Sequence, residues 1–223
     1  MTGTERLDQV IFFDIDNCLY PLDLGLVALT TARIHALALT AGLSTETVTE
    51  TCETYYRDYG LTVRGLMKHH GVKPSDFNEK VDGSLPLETL IKPDPELRRI
   101  LKAVKIRRWA FTNAGIDHAR RVLRCLGIED LFEGITFCDY AEIDFPCKPE
   151  RAAYERAMLE AGVTDPRMCY FVDDSAKNVE VAIELGWTAV EVSQKASTML
   201  NISRIHELPQ VLPQLFDQTL FST

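Results

Sequence analysis

Seven polar residues stand directly after apolar runs or in loops that join them, and their types suit work on a phosphoryl group. Asp14 and Asp16 follow the run at 10–13, Thr112 and Asn113 follow residues 106–111, and Asp173 and Asp174 follow residues 168–172. Lys148 sits in Phe145-Pro146-Cys147-Lys148-Pro149, beyond a third run at 135–137. Such runs read as buried strands. In a doubly wound parallel sheet the carboxyl ends of the strands share one edge, where these folds form their ligand crevice. Four carboxylates, a hydroxyl and an ammonium would then converge. Crowded carboxylates repel one another, and a bound cation is the simplest neutraliser; aspartate oxygens beside a substrate phosphate suit Mg²⁺. His and Cys at zinc spacing are absent from the sequence. Asp14 and Asp16 are two apart and would share a side if the strand extends that far. The Lys148 ammonium is suited to stabilise a transferring phosphoryl group. Each residue alone is ordinary, an Asp after a strand being most often a turn former and a lone Lys a solvated side chain. The ordered set carries the reading.

Positioning that set requires a particular alternation of elements. Strand-like runs at 10–13, 106–111, 135–137, 168–172 and 188–192 alternate with amphipathic segments. Asp94-Pro95 and Lys148-Pro149 place proline near a helix start, and Gly127, Gly162 and Gly186 stand where glycine stops a helix. Strand–helix alternation implies an α/β fold, a doubly wound parallel sheet of Rossmann-like type. One interval breaks the rhythm: about 90 residues separate the first two strands, where a crossover needs a dozen or more. Residues 24–41, 45–59, 61–70 and 72–82 look helical, and the return through 83–95 carries three prolines. The expected organisation is a catalytic core of residues 1–20 and 90–223 with an inserted α-helical cap domain at 21–89. Ile205, Leu208, Val211, Leu212 and Leu215, at helical spacing, predict a last helix packed on the core.

Composition narrows the class. The chain has 223 residues, 46% hydrophobic and 26% charged, with 24 basic against 33 acidic side chains for a net charge of −9. That is ordinary globular composition and excludes a disordered chain or a disulfide-stapled miniprotein. A dispersed negative charge disfavours nucleic acid and anionic membranes as partners. The six cysteines form no C-x-x-C pair and read as reduced thiols. No apolar stretch approaches 18 residues and residues 1–9 lack an apolar signal core, so neither export nor a membrane span is expected and the location expected is cytoplasmic. Dinucleotide and P-loop phosphate cradles have no glycine pattern here. His35, His118 and His206 match no partner pattern and receive no role.

Taken together, Asp14-x-Asp16, Thr112-Asn113, Lys148-Pro149 and Asp173-Asp174-Ser175-x-x-Asn178 resemble the four motifs of the haloacid dehalogenase superfamily. Their separations of 98, 36 and 25 residues fit members with a helical cap inserted after the first motif. A closer resemblance, to the pyrimidine 5′-nucleotidase branch, rests on Phe-Phe-Asp14-Ile-Asp16-Asn17-Cys18-Leu19-Tyr20-Pro21 and on Tyr55-Tyr56-Arg57-Asp58-Tyr59-Gly60-Leu61-Thr62-Val63-Arg64-Gly65-Leu66. Phe137-Cys138-Asp139-Tyr140 and Tyr170-Phe171-Val172-Asp173-Asp174-Ser175 add to it. Cys18 stands where the broader superfamily usually has Thr, a feature the nucleotidase branch shares.

The resemblance implies a Mg²⁺-dependent phosphate monoester hydrolase acting on pyrimidine nucleoside 5′-monophosphates, UMP and CMP. Asp14 would be the nucleophile, forming an aspartyl phosphate, and Asp16 the general acid and then base. Thr112, the amide of Asn113 and Lys148 would bind phosphate. Asp14, the Asp16 carbonyl, Asp173 and Asp174 would hold the metal, the sequence leaving open which of the last two binds directly. Ser175 and Asn178 would support them, Ser175 as a helix cap. Tyr56, Tyr59, Arg64 and His69 in the cap are candidates for nucleoside contacts. Dehalogenation, which needs no second acid, is disfavoured by Asp16. A phosphosugar phosphatase or mutase would use the same core with another cap, and a non-catalytic binding protein on this fold is the rival of another class. The sequence leaves the oligomeric state open.

Overall fold

The computed structural model describes residues 8–142, 144–195, 197–217 and 219. Strand β1 (Val10–Phe13) is buried throughout. Ile11 and Phe13 face one hydrophobic cluster and Val10 and Phe12 another. A strand covered on both faces must be apolar at every position, which is why it reads as an unbroken run. It pairs in parallel with β2 (Arg107–Phe111) and β4 (Cys169–Asp173). With β3 (Gly134–Thr136), β5 (Thr188–Val192) and β6 (Asn201–Ile202) they form a parallel sheet in the order β3-β2-β1-β4-β5-β6. The chain moves outward from β1 through β2 to β3, then crosses to β4 on the other side. The crevice of such a sheet opens at that reversal, at the carboxyl ends of β1, β2 and β4.

Between β1 and β2 lie α1 (Leu26–Thr40), α2 (Val48–Tyr59), α3 (Thr62–His70), α4 (Pro74–Lys80), the short α5 (Leu87–Leu90) and α6 (Pro95–Ala103). The Asp94 side chain accepts from the Leu97 amide at 2.9 Å and Pro95 opens α6, the cap that the Asp-Pro pair predicted. Helices α1 to α4 enclose a core of their own around Leu37, Val48, Leu66 and Phe77, joined by Cys138, Tyr140, Phe145 and Cys147 from the segment after β3. Leu26, Leu85 and Leu87 instead pack with the sheet cluster. The helices α7 (Ile116–Leu126), α8 (Arg151–Ala161) and α9 (Ala176–Glu184) follow β2, β3 and β4. α7 covers the Ile11 and Phe13 face, α8 and α9 the other, where Trp187 stacks on Phe12 with ring centroids 4.8 Å apart.

Two expectations need correction. The predicted last helix is a broken string: a 3₁₀ turn (Ile205–Glu207), α10 (Leu208–Val211) and another 3₁₀ turn (Pro213–Leu215). Pro213 lacks the N–H a continuing helix would donate. Ile205, Leu208, Leu212 and Leu215 are nonetheless buried against the sheet, so the apolar spacing reported burial correctly and the element wrongly. Strand β6, two residues long, carries no sequence period and was not expected. Among the described residues no helix is long and apolar enough to cross a membrane.

Candidate active site

β1 ends at Phe13, so Asp14 and Asp16 do not share a strand face. The Asp14 amide still donates to the Val172 carbonyl at 2.9 Å, which holds it in line with the sheet. Asp16 lies in the turn that follows, where Asn17 adopts a left-handed φ of 60°, a conformation Asn tolerates better than most residues. The two carboxylates consequently have separate partners.

Asp14 meets Lys148. The lysine is 2% exposed, and its ammonium donates to Asp14 Oδ1 at 2.7 Å, Asp173 Oδ2 at 2.6 Å and the Phe111 carbonyl at 2.8 Å. All three ammonium protons are thereby used. The aromatic rings of Phe111 and Phe171 lie 5.0 and 5.4 Å from the same nitrogen, and the carboxylates hold its pKa above the ordinary lysine value against burial. The Asn113 side chain fixes the backbone that carries it: Asn113 Oδ1 accepts from the Lys148 amide at 2.8 Å, and Nδ2 donates to the Lys148 carbonyl at 2.9 Å. Thr112, 2% exposed, accepts from the Ala114 amide through its hydroxyl at 3.0 Å.

Asp173 and Asp174, equivalent in the sequence, differ here. Asp173 is fully enclosed, and its Oδ1 accepts from the Ser175 amide at 2.8 Å and from Asn178 Nδ2 at 2.9 Å, while Lys148 fills Oδ2. Asn178 is thus a direct support, and Ser175 acts through its amide with no side-chain cap of α9. Among the described residues, no other residue bonds to the Asp174 carboxyl. Burial, then the charge of Asp173, push its pKa up to about 7. Asp14 is raised as well, by burial first, with Lys148 opposing and Asp173 and Asp174 adding.

One oxygen each of Asp14, Asp173 and Asp174 lie within 4.8 Å of one another. Three carboxylates against one ammonium leave a formal charge of −2, which one divalent cation cancels. An all-oxygen donor set with a carboxylate still free fits Mg²⁺. The Asp174 carboxyl, bonded to no other described residue, is the observation that makes the fit physical.

Asp16 has a different neighbourhood. Its Oδ1 accepts from the Tyr20 hydroxyl at 2.7 Å and from His118 Nε2 at 2.8 Å. Burial opposes its charge, but the imidazolium and the two hydrogen bonds outweigh that and hold it below the ordinary carboxylate range. Burial likewise works against the charge of His118, and the Asp16 carboxylate raises it to about 9. Sequence reasoning assigned neither His118 nor Tyr20. The available signal was position: His118 occupies the apolar stripe of α7 with Ala119, Val122 and Leu126, where a histidine is out of place.

The four candidates on the inserted helices divide. Tyr56 is 61% exposed, and its phenol is raised by partial desolvation and by the charges of Asp174, Asp173 and Asp14. Arg64 is engaged elsewhere, donating to Glu150 Oε1, the Tyr59 carbonyl at 2.8 Å and Cys147 Sγ at 3.3 Å. Tyr59 and His69 share a hydrogen bond of 2.7 Å with each other. Gly60, at φ 74° after α2, abuts Cys147, and a Cβ there would lie 2.9 Å from its sulfur.

Comparison with known proteins agrees with this picture. The model of the haloacid dehalogenase-like hydrolases matches residues 9–186. Phosphate metabolism protein 8 of Saccharomyces cerevisiae is 36% identical over 190 residues, 80% of this chain. The chain spans 59% of that relative's length. Among solved structures, YfnB from Bacillus subtilis bound to magnesium superposes with a TM-score of 0.63 at 14% identity, covering 93% of this chain and 99% of the other. L-2-haloacid dehalogenase from Xanthobacter autotrophicus gives 0.61 at 14%, with the same coverage. HAD phosphatase from Thermococcus onnurineus gives 0.59 at 19%, covering 92% and 97%. At these identities the likeness speaks for the fold.

Proposed function

The chain belongs to the haloacid dehalogenase-like hydrolases, and from that premise we propose that it is a phosphate monoester hydrolase acting on nucleoside 5′-monophosphates, UMP and CMP foremost, with residues 21–89 as a cap over a core of 1–20 and 90–223. The observation that carries the reading is the second carboxylate. Asp16 sits two residues from the nucleophile with Oδ1 held by two donors, and a proton-transferring group is needed for an alkoxide leaving group and superfluous for a halide.

Lys148 occupies Asp14 Oδ1 and leaves Oδ2 to attack phosphorus. As the Asp14–phosphorus bond forms, the bond to the ester oxygen breaks and that oxygen takes the proton that Asp16, ionised in the free site, picks up from water as the phosphate enters. The approaching phosphate dianion is a like charge to Asp16 and raises its affinity for the proton it must carry. Asp16, ionised after the transfer, takes a proton from water, whose oxygen bonds to phosphorus as the acyl phosphate breaks and Asp14 is restored. Thr112 and the Asn113 amide bind phosphoryl oxygens, while Lys148, its protons engaged, offsets their charge from beside Asp14. Mg²⁺, held by Asp14, Asp174 and the Asp16 carbonyl with Asp173 behind them, would supply charge neutralisation to the phosphoryl group. Tyr56, exposed and within reach of the charge of the carboxylates, would be the cap residue that stacks on a nucleoside.

The test is phosphate release in Mg²⁺ from UMP, CMP, AMP, GMP, phosphosugars and p-nitrophenyl phosphate, with Asp14→Asn as control. UMP and CMP should lead by about tenfold in kcat/KM, a difference of about 1.4 kcal/mol in transition-state stabilisation, and the variant should be inactive. A lead by phosphosugars would overturn the substrate, and hydrolysis of none would overturn the enzyme.

A further inference from the structure

Lys148 touches neither Asp174 nor Asp16, and the restraint on Asp16 comes from two residues to which the sequence gives no role. Tyr20 and His118 both donate to Oδ1, so Oδ2 is the oxygen left free. The Asp16 side chain is 28% exposed, whereas that of His118 is 6% exposed, so the donor is anchored more firmly than the group it holds. His118 is rooted in α7, which covers the sheet through Ala119, Val122, Leu123 and Leu126.

We propose that His118, assisted by Tyr20, is the positioning residue that aims Asp16 Oδ2 at the ester oxygen, and that it links this aim to the inserted segment. The second part rests on the return segment that α7 holds, where the charge of Asp82 acts on His118. His118 Nδ1 and Asp82 Oδ2 are both buried without a hydrogen-bond partner, an arrangement that costs each group its lost hydration. Asp82 belongs to the return from the inserted helices. Arg121, one turn along α7 from His118, clasps the same return, donating to the Asp82 and Leu85 carbonyls at 3.0 and 3.1 Å and to Glu88 Oε1 and Oε2 at 3.0 and 2.9 Å. The helix that orients the acid is therefore the helix that grips the joint.

The inference rests on the hydrolase reading above, and the experiment separates the two. kcat/KM, which reports steps up to release of the alcohol, is measured for UMP, a poor leaving group, and for p-nitrophenyl phosphate, whose phenolate departs without a proton. His118→Leu removes the donor, His118→Gln retains an N–H at similar reach, and Tyr20→Phe removes the other donor while keeping the ring. Each variant is first checked for a wild-type unfolding midpoint and circular dichroism spectrum. His118→Leu should lose about 100-fold on UMP, the low end of a general acid's contribution, and less than about fivefold on p-nitrophenyl phosphate, where that contribution is not needed. His118→Gln should recover most of the UMP activity, and Tyr20→Phe should show the same split in smaller measure. Equal losses on both substrates in a folded variant, or a glutamine as damaging as leucine, would overturn the positioning role. A wild-type protein inactive on every ester would instead overturn the hydrolase reading. For the link, Asp82→Asn removes the charge that acts on the imidazole and should reproduce the leaving-group split at a few-fold size; equal activity to wild type on both esters would remove Asp82 from the proposal.

Discussion

Replacing Lys148 by Met isolates the charge at the centre of the site. Methionine keeps an unbranched apolar stem of comparable volume, so little packing is lost, and what disappears is an ammonium 2.7 Å from Asp14 and 2.6 Å from Asp173. Removing one partner of a buried ionic group leaves the other desolvated and uncompensated, at a cost of about 3–5 kcal/mol. For a chain of this size each kcal/mol moves the midpoint by about 2–4 °C, so a fall of roughly 6–20 °C is expected. The loss also has a pH signature. Asp14 is already raised by burial with Lys148 opposing, and without the ammonium it rises further. The native variant then holds a proton that the unfolded chain releases near its ordinary carboxylate pKa, and its stability falls as pH rises above about 4. Urea unfolding at pH 5 and pH 8, both in a chelator, reads this directly. The variant should be deficient at both and more so at pH 8. A variant within about 1 kcal/mol of wild type at pH 8 would refute the view that the ammonium compensates those carboxylates.

Other outcomes follow from the same geometry. Asp174, pushed up to about 7, binds its proton more tightly in the native state, so wild-type stability without metal should decline as pH rises from about 4 to 7. Mg²⁺ at a hundred times its dissociation constant should then add about 2.7 kcal/mol at pH 8 and clearly less at pH 5, as followed by urea unfolding; equal gains at both would count against Asp174 as a ligand. Tyr56→Ala should raise KM for UMP well above any change for p-nitrophenyl phosphate in steady-state assays, and parallel changes would remove Tyr56 from nucleoside contact. Asp94→Ala deletes the α6 cap and its bond to His206 and should cost about 1 kcal/mol in urea unfolding with kcat unchanged.

What the sequence made legible was whatever depends on short-range pattern. β1 and β4 are buried on both faces, so they appear as apolar runs, and the residues at their ends are then forced to one edge. The glycines after α7 and α8 mark helix ends because their φ values of 71° and 69° suit no other residue as well. The role of His118 was hidden for the opposite reason: its place in the apolar stripe of α7 marks it as unusual, but its partner lies 102 positions away and nothing within the helix announces an acid. Arg64 shows the same limit, since the charge it answers, Glu150, stands 86 residues on. Asp173 and Asp174 are chemically identical in the sequence, and only the packing of Lys148 and Asn178 distinguishes the enclosed carboxylate from the free one.

Gly60 gives this arrangement an evolutionary corner. It carries no chemical group, yet any side chain there must adopt a left-handed backbone and displace the sulfur of Cys147, the neighbour of Lys148. Drift at position 60 would therefore disturb the lysine through a steric shove passed along one peptide, with every reacting residue still in the sequence. A chain that lost its glycine here would look intact by its motifs while being detuned in fact.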